Sequence, residues 1–435
     1  MSYEHPNTSL TPRAAAASEQ ITQRKQRKRK VEPRQDEPRH AKRRVEDTLK
    51  DKKTQDSWKT IRSTVENIQC ARLSVSTGVQ ILRLRRKLSS QSVRQTVEGE
   101  APKDEDFDFL VLDDTDCYDD DTGHLLFKFR KRAIYPHNIA LAKSIFSDID
   151  EKMKDSKTRG SAAGKFVDKS KFADKKIERI EASQSKGKGF IVKNGKRLRN
   201  PVSNPVKSYK SGMYFDRFKQ QNLDWGFSKL FPDEWKRSMP FFSNIAEKFE
   251  SILPGIFKKM KMRRITTAPE AQISPSVPLS TVSINVNFAT AYHQDRGDFK
   301  SGFSTLTVVK LGEIEGGHLV FPEYKIAIKV DEGDLLLNQS HRLWHGNTPI
   351  VQGPNGGKRI SFVTYLKHAL ERAGEMEAYN TGVKTTASTI EKIHVETDMQ
   401  QMDTEVPLTE VLQVSNPKEP FLMRSVVNIG KRGWI

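Results

Sequence analysis

Cysteine is nearly absent: the chain has two in 435 residues, Cys70 and Cys117, so a disulfide scaffold is excluded as the source of its stability. No apolar run approaches the length of a membrane span. The first thirty residues lack the apolar core of a secretory signal. Hydrophobic residues make up only 35% against 30% charged, so a sizeable part of the chain lies outside any core, although the length allows one large or two ordinary domains. Acidic residues are in deficit, 55 against 74 Lys plus Arg, and the net charge of +19 points to a polyanionic partner, nucleic acid rather than a membrane.

The basic charge is concentrated in two places. Residues 1–103 form a basic arm of low hydrophobicity, expected to be disordered. In it, Arg24-Lys25-Gln26-Arg27-Lys28-Arg29-Lys30 and Arg39-His40-Ala41-Lys42-Arg43-Arg44 read as a bipartite nuclear import signal or a DNA-tethering tail. Helical spacing suggests an amphipathic helix around Val65 to Leu88. The second concentration is a Lys-rich insert from about 152 to 210, with Lys186-Gly187-Lys188-Gly189 and Lys196-Arg197-Leu198-Arg199. A phosphate-tracking loop and a solvated insertion would both look like this, while the glycine spacing fits no nucleotide-triphosphate loop.

At Asp104 the composition changes and the folded domain is expected to begin, running from 104 to 370. Phe107 to Leu112 reads as its first strand, and Asp121-Thr122-Gly123 as a turn into the strand Leu125 to Phe129 rather than as a metal site. Asn138 to Met153 has helical spacing. Between Met213 and Met262 lie eleven aromatics at spacings that suit core-facing helices, near Pro232 to Arg237 and Phe242 to Ile252. Residues 371–435 lack lasting periodicity and are taken as a tail.

The stretch Ser283 to Leu366 carries the chemistry. His293 and Asp295 follow the alternating run Thr281 to Phe288, and in an extended chain residues i and i+2 face one side, so both can reach one ion while Gln294 points away. Two imidazoles and one carboxylate bind one face of a non-haem Fe(II) and leave the remaining positions open. His318, His341 and His345 compete for the third position. Arg359 lies fourteen residues after His345 on the β-like run Arg359 to Tyr365, with Ser361 on its face, and a guanidinium clamps a co-substrate carboxylate with two parallel hydrogen bonds. His345 is therefore selected. The short strands between these residues, broken by Gly316-Gly317 and Glu332-Gly333, suggest a small barrel or jelly roll open at one end.

His293-x-Asp295, His345 and Arg359-x-Ser361 followed by Tyr365 resemble the TET/JBP dioxygenases, most closely the fungal and protist members, because of Gly316-Gly317-His318-Leu319-Val320-Phe321-Pro322-Glu323 and Glu332-Gly333-Asp334-Leu335-Leu336. The resemblance covers roughly 106 to 370. It implies an α+β fold with a double-stranded β-helix core, jelly-roll or cupin-like, and supporting helices. It implies Fe(II) held by His293, Asp295 and His345, with 2-oxoglutarate and O2 as co-substrates and Arg359 and Ser361 anchoring 2-oxoglutarate. It further implies oxidation of the 5-methyl group of 5-methylcytosine or thymine in DNA, on a flipped base that Asp298 hydrogen-bonds and Tyr365 stacks upon. A nuclear location and chromatin partners for the tails follow from the same expectation. Where family members often have a histidine eight residues after the clamp arginine, this chain has Lys367. Asn285, Asn287 and Tyr292 are the candidates for holding the other end of 2-oxoglutarate. Two rival readings are an oxygenase acting on protein or on N-methylated nucleic acid, the latter weakened by the lack of a second arginine on the Arg359 strand, and a non-catalytic DNA- or chromatin-binding protein.

Overall fold

The computed structural model describes residues 78–216, 221–267, 273 and 277–370, with two short strands at Leu412–Gln413 and Val426–Asn428. The basic clusters of the arm, and all of the tail except those two strands, lie outside the described residues. In chain order come β1 (Gln80–Leu84), α1 (Ser90–Thr96), β2 (Phe109–Val111), β3 (Thr115–Asp119), β4 (Leu125–Arg130), α2 (Pro136–Phe146) and α3 (Ile149–Lys152). The insert contributes β5 (Arg179–Ala182), β6 (Gly189–Lys193) and β7 (Lys196–Arg197), followed by β8 (Ser208–Asp216) and β9 (Gln221–Gly226). Four helices follow: α4 (Phe227–Leu230), α5 (Pro232–Arg237), α6 (Met239–Ile252) and α7 (Pro254–Thr267). The last part holds β10 (Thr281–Val286), β11 (Ser304–Gly316), β12 (Leu319–Phe321), β13 (Ile326–Ile328), β14 (Leu335–Asn338), β15 (Gly346–Asn347), β16 (Ile350–Tyr365), β17 (Leu412–Gln413) and β18 (Val426–Asn428).

Two sheets face each other. The larger runs β17-β1-β3-β4-β14-β11-β16-β10-β8-β9 and the smaller β15-β12-β13-β2-β18. Between them pack Leu82, Phe109, Val111, Phe127, Phe129, Leu306, Val308, Leu319, Phe321, Ile326, Ile328 and Leu336. The opposite face of the larger sheet is covered by helices, which bury Phe146, Phe241, Phe242 and Phe249 against Val282, Ile284, Val286, Ile360 and Phe362. This is the expected α+β double-stranded β-helix.

The strand period of two separates structure from chemistry. On β16, Ile360 and Phe362 enter the helix-side core, where Phe362 meets Phe241 and Phe146 at ring-centroid distances of 4.9 and 5.1 Å. Arg359, Ser361, Val363 and Tyr365 therefore face the inside. On β10, Val282, Ile284 and Val286 go to the helices and Ser283 and Asn285 inward. Register then aligns rows across the inner face: Lys210 opposite Ser283, Ser283 opposite Val363, and Val363 opposite Leu306. Burial of each helix-side aromatic contributes on the order of 1.5–3 kcal/mol, so the sheet is anchored by one face and free to carry polar groups on the other.

Several expectations need correction. The helix around Val65 to Leu88 does not form over its described part, because Gln80–Leu84 is a strand paired in parallel with β3. Its alternating Leu82 and Leu84 serve a sheet, and Leu82 is 1% exposed. Described structure thus begins ahead of Asp104. The Lys-rich insert is neither a bare loop nor a coil: β5, β6 and β7 form their own sheet over a small core of Phe172, Ile177 and Ile191. The expected turn at Asp121-Thr122-Gly123 is present, with the Asp119 carboxylate accepting from the N–H groups of Asp121 and Thr122.

Candidate active site

His293 and Asp295 lie several residues beyond the end of β10, in an extended segment rather than in the strand itself. That segment pairs with the one holding His345: His293 and His345 exchange two backbone hydrogen bonds, each 2.9 Å. This brings the imidazoles to a centroid separation of 4.4 Å. Gln294 points elsewhere, donating to the Arg342 carbonyl. The alternation argued for a strand holds for this extended bridge.

The donor set has the chemistry of a metal site. The Nδ1 of His293 lies 2.8 Å from the Ala291 carbonyl and that of His345 2.9 Å from the Leu343 carbonyl. A carbonyl only accepts, so Nδ1 carries the proton in each ring and the Nε2 lone pair is free for a cation. Those Nε2 atoms stand 3.5 and 3.4 Å from the two oxygens of Asp295. All three donors lie within 4.8 Å of one another. Burial alone would raise the pKa of Asp295, but the two imidazoles against its oxygens hold it well below the usual carboxylate range. Burial, then the neighbouring His345, pushes His293 down. Among the described residues this is the cluster that fits Fe(II); His318 and His341 do not join it.

His318 lies instead beside Arg359: it is buried, and burial followed by the charges of Lys329 and Arg359 lowers it to about 3. Arg359 is 3% exposed and makes no ion pair among the described residues; one N–H reaches the Val330 carbonyl at 3.5 Å. Burial brings its pKa down to about 10. A buried guanidinium in this condition is a ready site for a carboxylate. Gly317 leaves room for it: at φ +67, a side chain there would start 3.1 Å from the Arg359 Nε.

The triad opens into a cavity of about 1060 Å³, also lined by Ser283, Asn285, Asp298, Tyr365 and Lys367. Arg359 and Ser361 lie on the same inward face of β16 as Val363 and Tyr365, but they do not themselves line the cavity. Asp298 is buried, and its Oδ2 accepts from Ser304 and Ser340 at 2.8 and 2.7 Å. Burial, then Asp295, pushes its carboxyl up to about 7. Of the residues considered for the other end of the co-substrate, Asn285 alone lines the cavity. Asn287 is used in binding the Arg359 N–H and the Gly357 carbonyl, and Tyr292 donates to Asp106.

Two cations escaped the sequence reading. Arg159 and Lys210 line the cavity, from the insert and from β8. Among the described residues, the buried Arg159 Nε has no hydrogen-bond partner. Lys210 is pulled down to about 7 by burial, then by Arg159 and Lys367. Their only sequence signal was position in a Lys-rich segment; β8 pairing with β10 is what turns Lys210 inward.

A two-histidine, one-carboxylate cluster in the mouth of a double-stranded β-helix defines the non-haem iron, 2-oxoglutarate oxygenase class. Residues 221–368 match the Tet_JBP family, described as the oxygenase domain of the 2OGFeDO superfamily. It is 40% identical over 109 residues to the bifunctional helicase and thymine dioxygenase JBP2 of Leishmania braziliensis, covering 25% of this chain and 10% of that protein. Against the thymine dioxygenase JBP1 of Trypanosoma brucei brucei it is 29% identical over 153 residues, covering 35% and 18%. The chain therefore spans less than a fifth of either relative. A solved structure of NgTET1 in complex with 5mC DNA superimposes with a TM-score of 0.42 at 11% identity, covering 72% of this chain and 92% of that one.

Proposed function

We propose that this chain is an Fe(II)- and 2-oxoglutarate-dependent dioxygenase that oxidises the 5-methyl group of a pyrimidine in DNA. The observation that carries this is the His293–Asp295–His345 cluster opening into a cavity lined by Tyr365 of β16, the strand whose inward face also carries Arg359, buried and without an ion pair among the described residues. His293, Asp295 and His345 hold the iron, which when bound supplies O2 activation coupled to oxidative decarboxylation of 2-oxoglutarate. Arg359, with Ser361 on its face, takes the distal carboxylate of 2-oxoglutarate; Arg159 and Lys210 are placed to meet its other end. Asp298 and Tyr365 receive a base flipped out of the duplex, since a 5-methyl inside the helix is poorly placed for attack. Lys367 stands where family members often have a histidine and gives the base pocket an ammonium donor. The surplus of basic residues supplies phosphate affinity, and the protein works in the nucleus, where the tails meet chromatin partners. The thymine dioxygenase names of the relatives favour thymine as the base, with 5-methylcytosine as the alternative.

The test is mass spectrometry of nucleosides after incubation of DNA containing 5-methylcytosine or thymine with Fe(II) and 2-oxoglutarate, beside His293→Ala. A hydroxymethyl, formyl or carboxyl pyrimidine that vanishes in the variant is expected. Succinate without a modified base would reject the DNA substrate, and neither product from iron-loaded protein would reject 2-oxoglutarate.

A further inference from the structure

The two iron-binding histidines are held by the same device with different ends. Each donates Nδ1–H to the carbonyl two residues before it, and each of those carbonyls belongs to a planar peptide whose N–H is engaged on the other side. For His293 the peptide is Ala291–Tyr292, and the Tyr292 N–H donates to the Glu100 backbone carbonyl at 2.9 Å. For His345 the peptide is Leu343–Trp344, and the Trp344 N–H donates at 3.1 Å to the side-chain carboxylate of Glu323. Glu323 is 1% exposed, and Trp344 is equally buried.

We propose that Glu323 is a positioning residue for the iron site, acting on His345 through the Leu343–Trp344 peptide. A charge-assisted hydrogen bond at the N–H end polarises the peptide and makes its carbonyl a stronger acceptor at the other end. That fixes the His345 ring and strengthens its Nε2 as a ligand, the part a carboxylate directly bonded to a metal-binding histidine plays elsewhere. The neutral carbonyl behind Tyr292 gives His293 less of this. The same carboxylate also joins the site to the cavity wall: Ser90, the first residue of α1, donates to its other oxygen, and Arg86 stands 3.9 Å away. The Glu323 carbonyl accepts from the N–H groups of Lys87 and Leu88 at 2.8 and 3.1 Å. Helix α1 lines the cavity through Ser90, Gln91, Arg94 and Gln95. It lies outside the 221–368 segment matched to the family, so Glu323 fastens an element beyond that segment onto a metal ligand.

The inference rests on the metal reading of the triad, and Co(II) titration of the full chain separates the two. Glu323→Gln keeps a carbonyl oxygen for Trp344 but loses the charge, so about a tenfold loss of Co(II) affinity and a shifted ligand-field spectrum are expected, with the far-ultraviolet spectrum unchanged. Ser90→Ala, which leaves the carboxylate on Trp344, keeps the wild-type Co(II) spectrum. In the metal-free wild type, the Nδ1–H proton of His345 lies downfield of that of His293 in a 15N-histidine spectrum, a readout that needs no Glu323 variant to fold. Wild-type Co(II) affinity and spectrum in Glu323→Gln, or a His293 proton as far downfield, would overturn the proposal. Failure of the wild type to bind Co(II) would remove the metal reading as well.

Discussion

Asp298→Asn should stabilise the metal-free protein, and should do so only toward alkaline pH. Burial and the nearby Asp295 push the Asp298 carboxyl from 3.8 up to about 7. The folded state thus holds a proton that the unfolded state has released across this window, so stability falls as pH rises from about 4 to 7 and stays low above it. The rise from 3.8 to about 7 corresponds to roughly 4 kcal/mol, more than half of it lost between pH 5 and 8. Asparagine has no proton to lose, and its carbonyl can still accept from Ser304 and Ser340, so the packing is kept. Denaturant unfolding of wild type and variant at pH 5 and pH 8 measures the difference. The variant should gain about 2–3 kcal/mol over wild type between the two conditions. Metal binding removes part of the Asp295 charge, so the gain should shrink when Co(II) is present. If the wild-type and variant profiles stay parallel within about 0.5 kcal/mol, the Asp298 carboxyl is not strained by its surroundings and the argument fails.

Phe362→Ala should cost about 3–5 kcal/mol in denaturant unfolding, since it empties the meeting point of Phe146, Phe241 and Phe242 behind the site strand. A cost below about 1 kcal/mol would mean that the helices do not anchor β16. Lys196→Ala with Arg199→Ala, both exposed on the insert, should weaken DNA binding and flatten its dependence on log salt by about one to two units, because each lost phosphate contact removes about 0.9 from the slope. An unchanged slope in a filter-binding titration would take the insert off the DNA.

The parts of the site that could be read in the sequence are those set by local geometry. His293 and Asp295 are two residues apart in extended chain, and Arg359, Ser361 and Tyr365 share a face because strand side chains alternate; no tertiary knowledge is needed for either. The choice of His345 over His318 rests on an arginine downstream; the structure brings His345 into one cluster with His293 and Asp295, and His318 is buried beside that arginine, where a second positive charge would be costly. What stayed hidden depends on pairing between distant segments. Residues Gln80–Leu84 lie at the end of a basic stretch with helical spacing, yet β3 supplies a strand partner thirty-five residues on, and pairing overrides local preference. Lys210 looked like one more lysine of a solvated insert until β10 turned β8 inward.

Glu323 shows the same limit most sharply. It was legible as part of a motif, Gly316 to Glu323, with nothing to say what its carboxylate touches. The answer lies on three segments at once: Arg86 and Ser90 before and in α1, Glu323 itself, and Trp344 beside the ligand. A buried carboxylate bears a large desolvation cost unless each oxygen finds a donor, so its donors state its task. One of them is the N–H of the peptide that orients His345. The others lie in or just before the helix that walls the cavity. An acid whose only role was to close the turn after β12 could be satisfied by the backbone around it; this one reaches outward to the iron site and to its wall together.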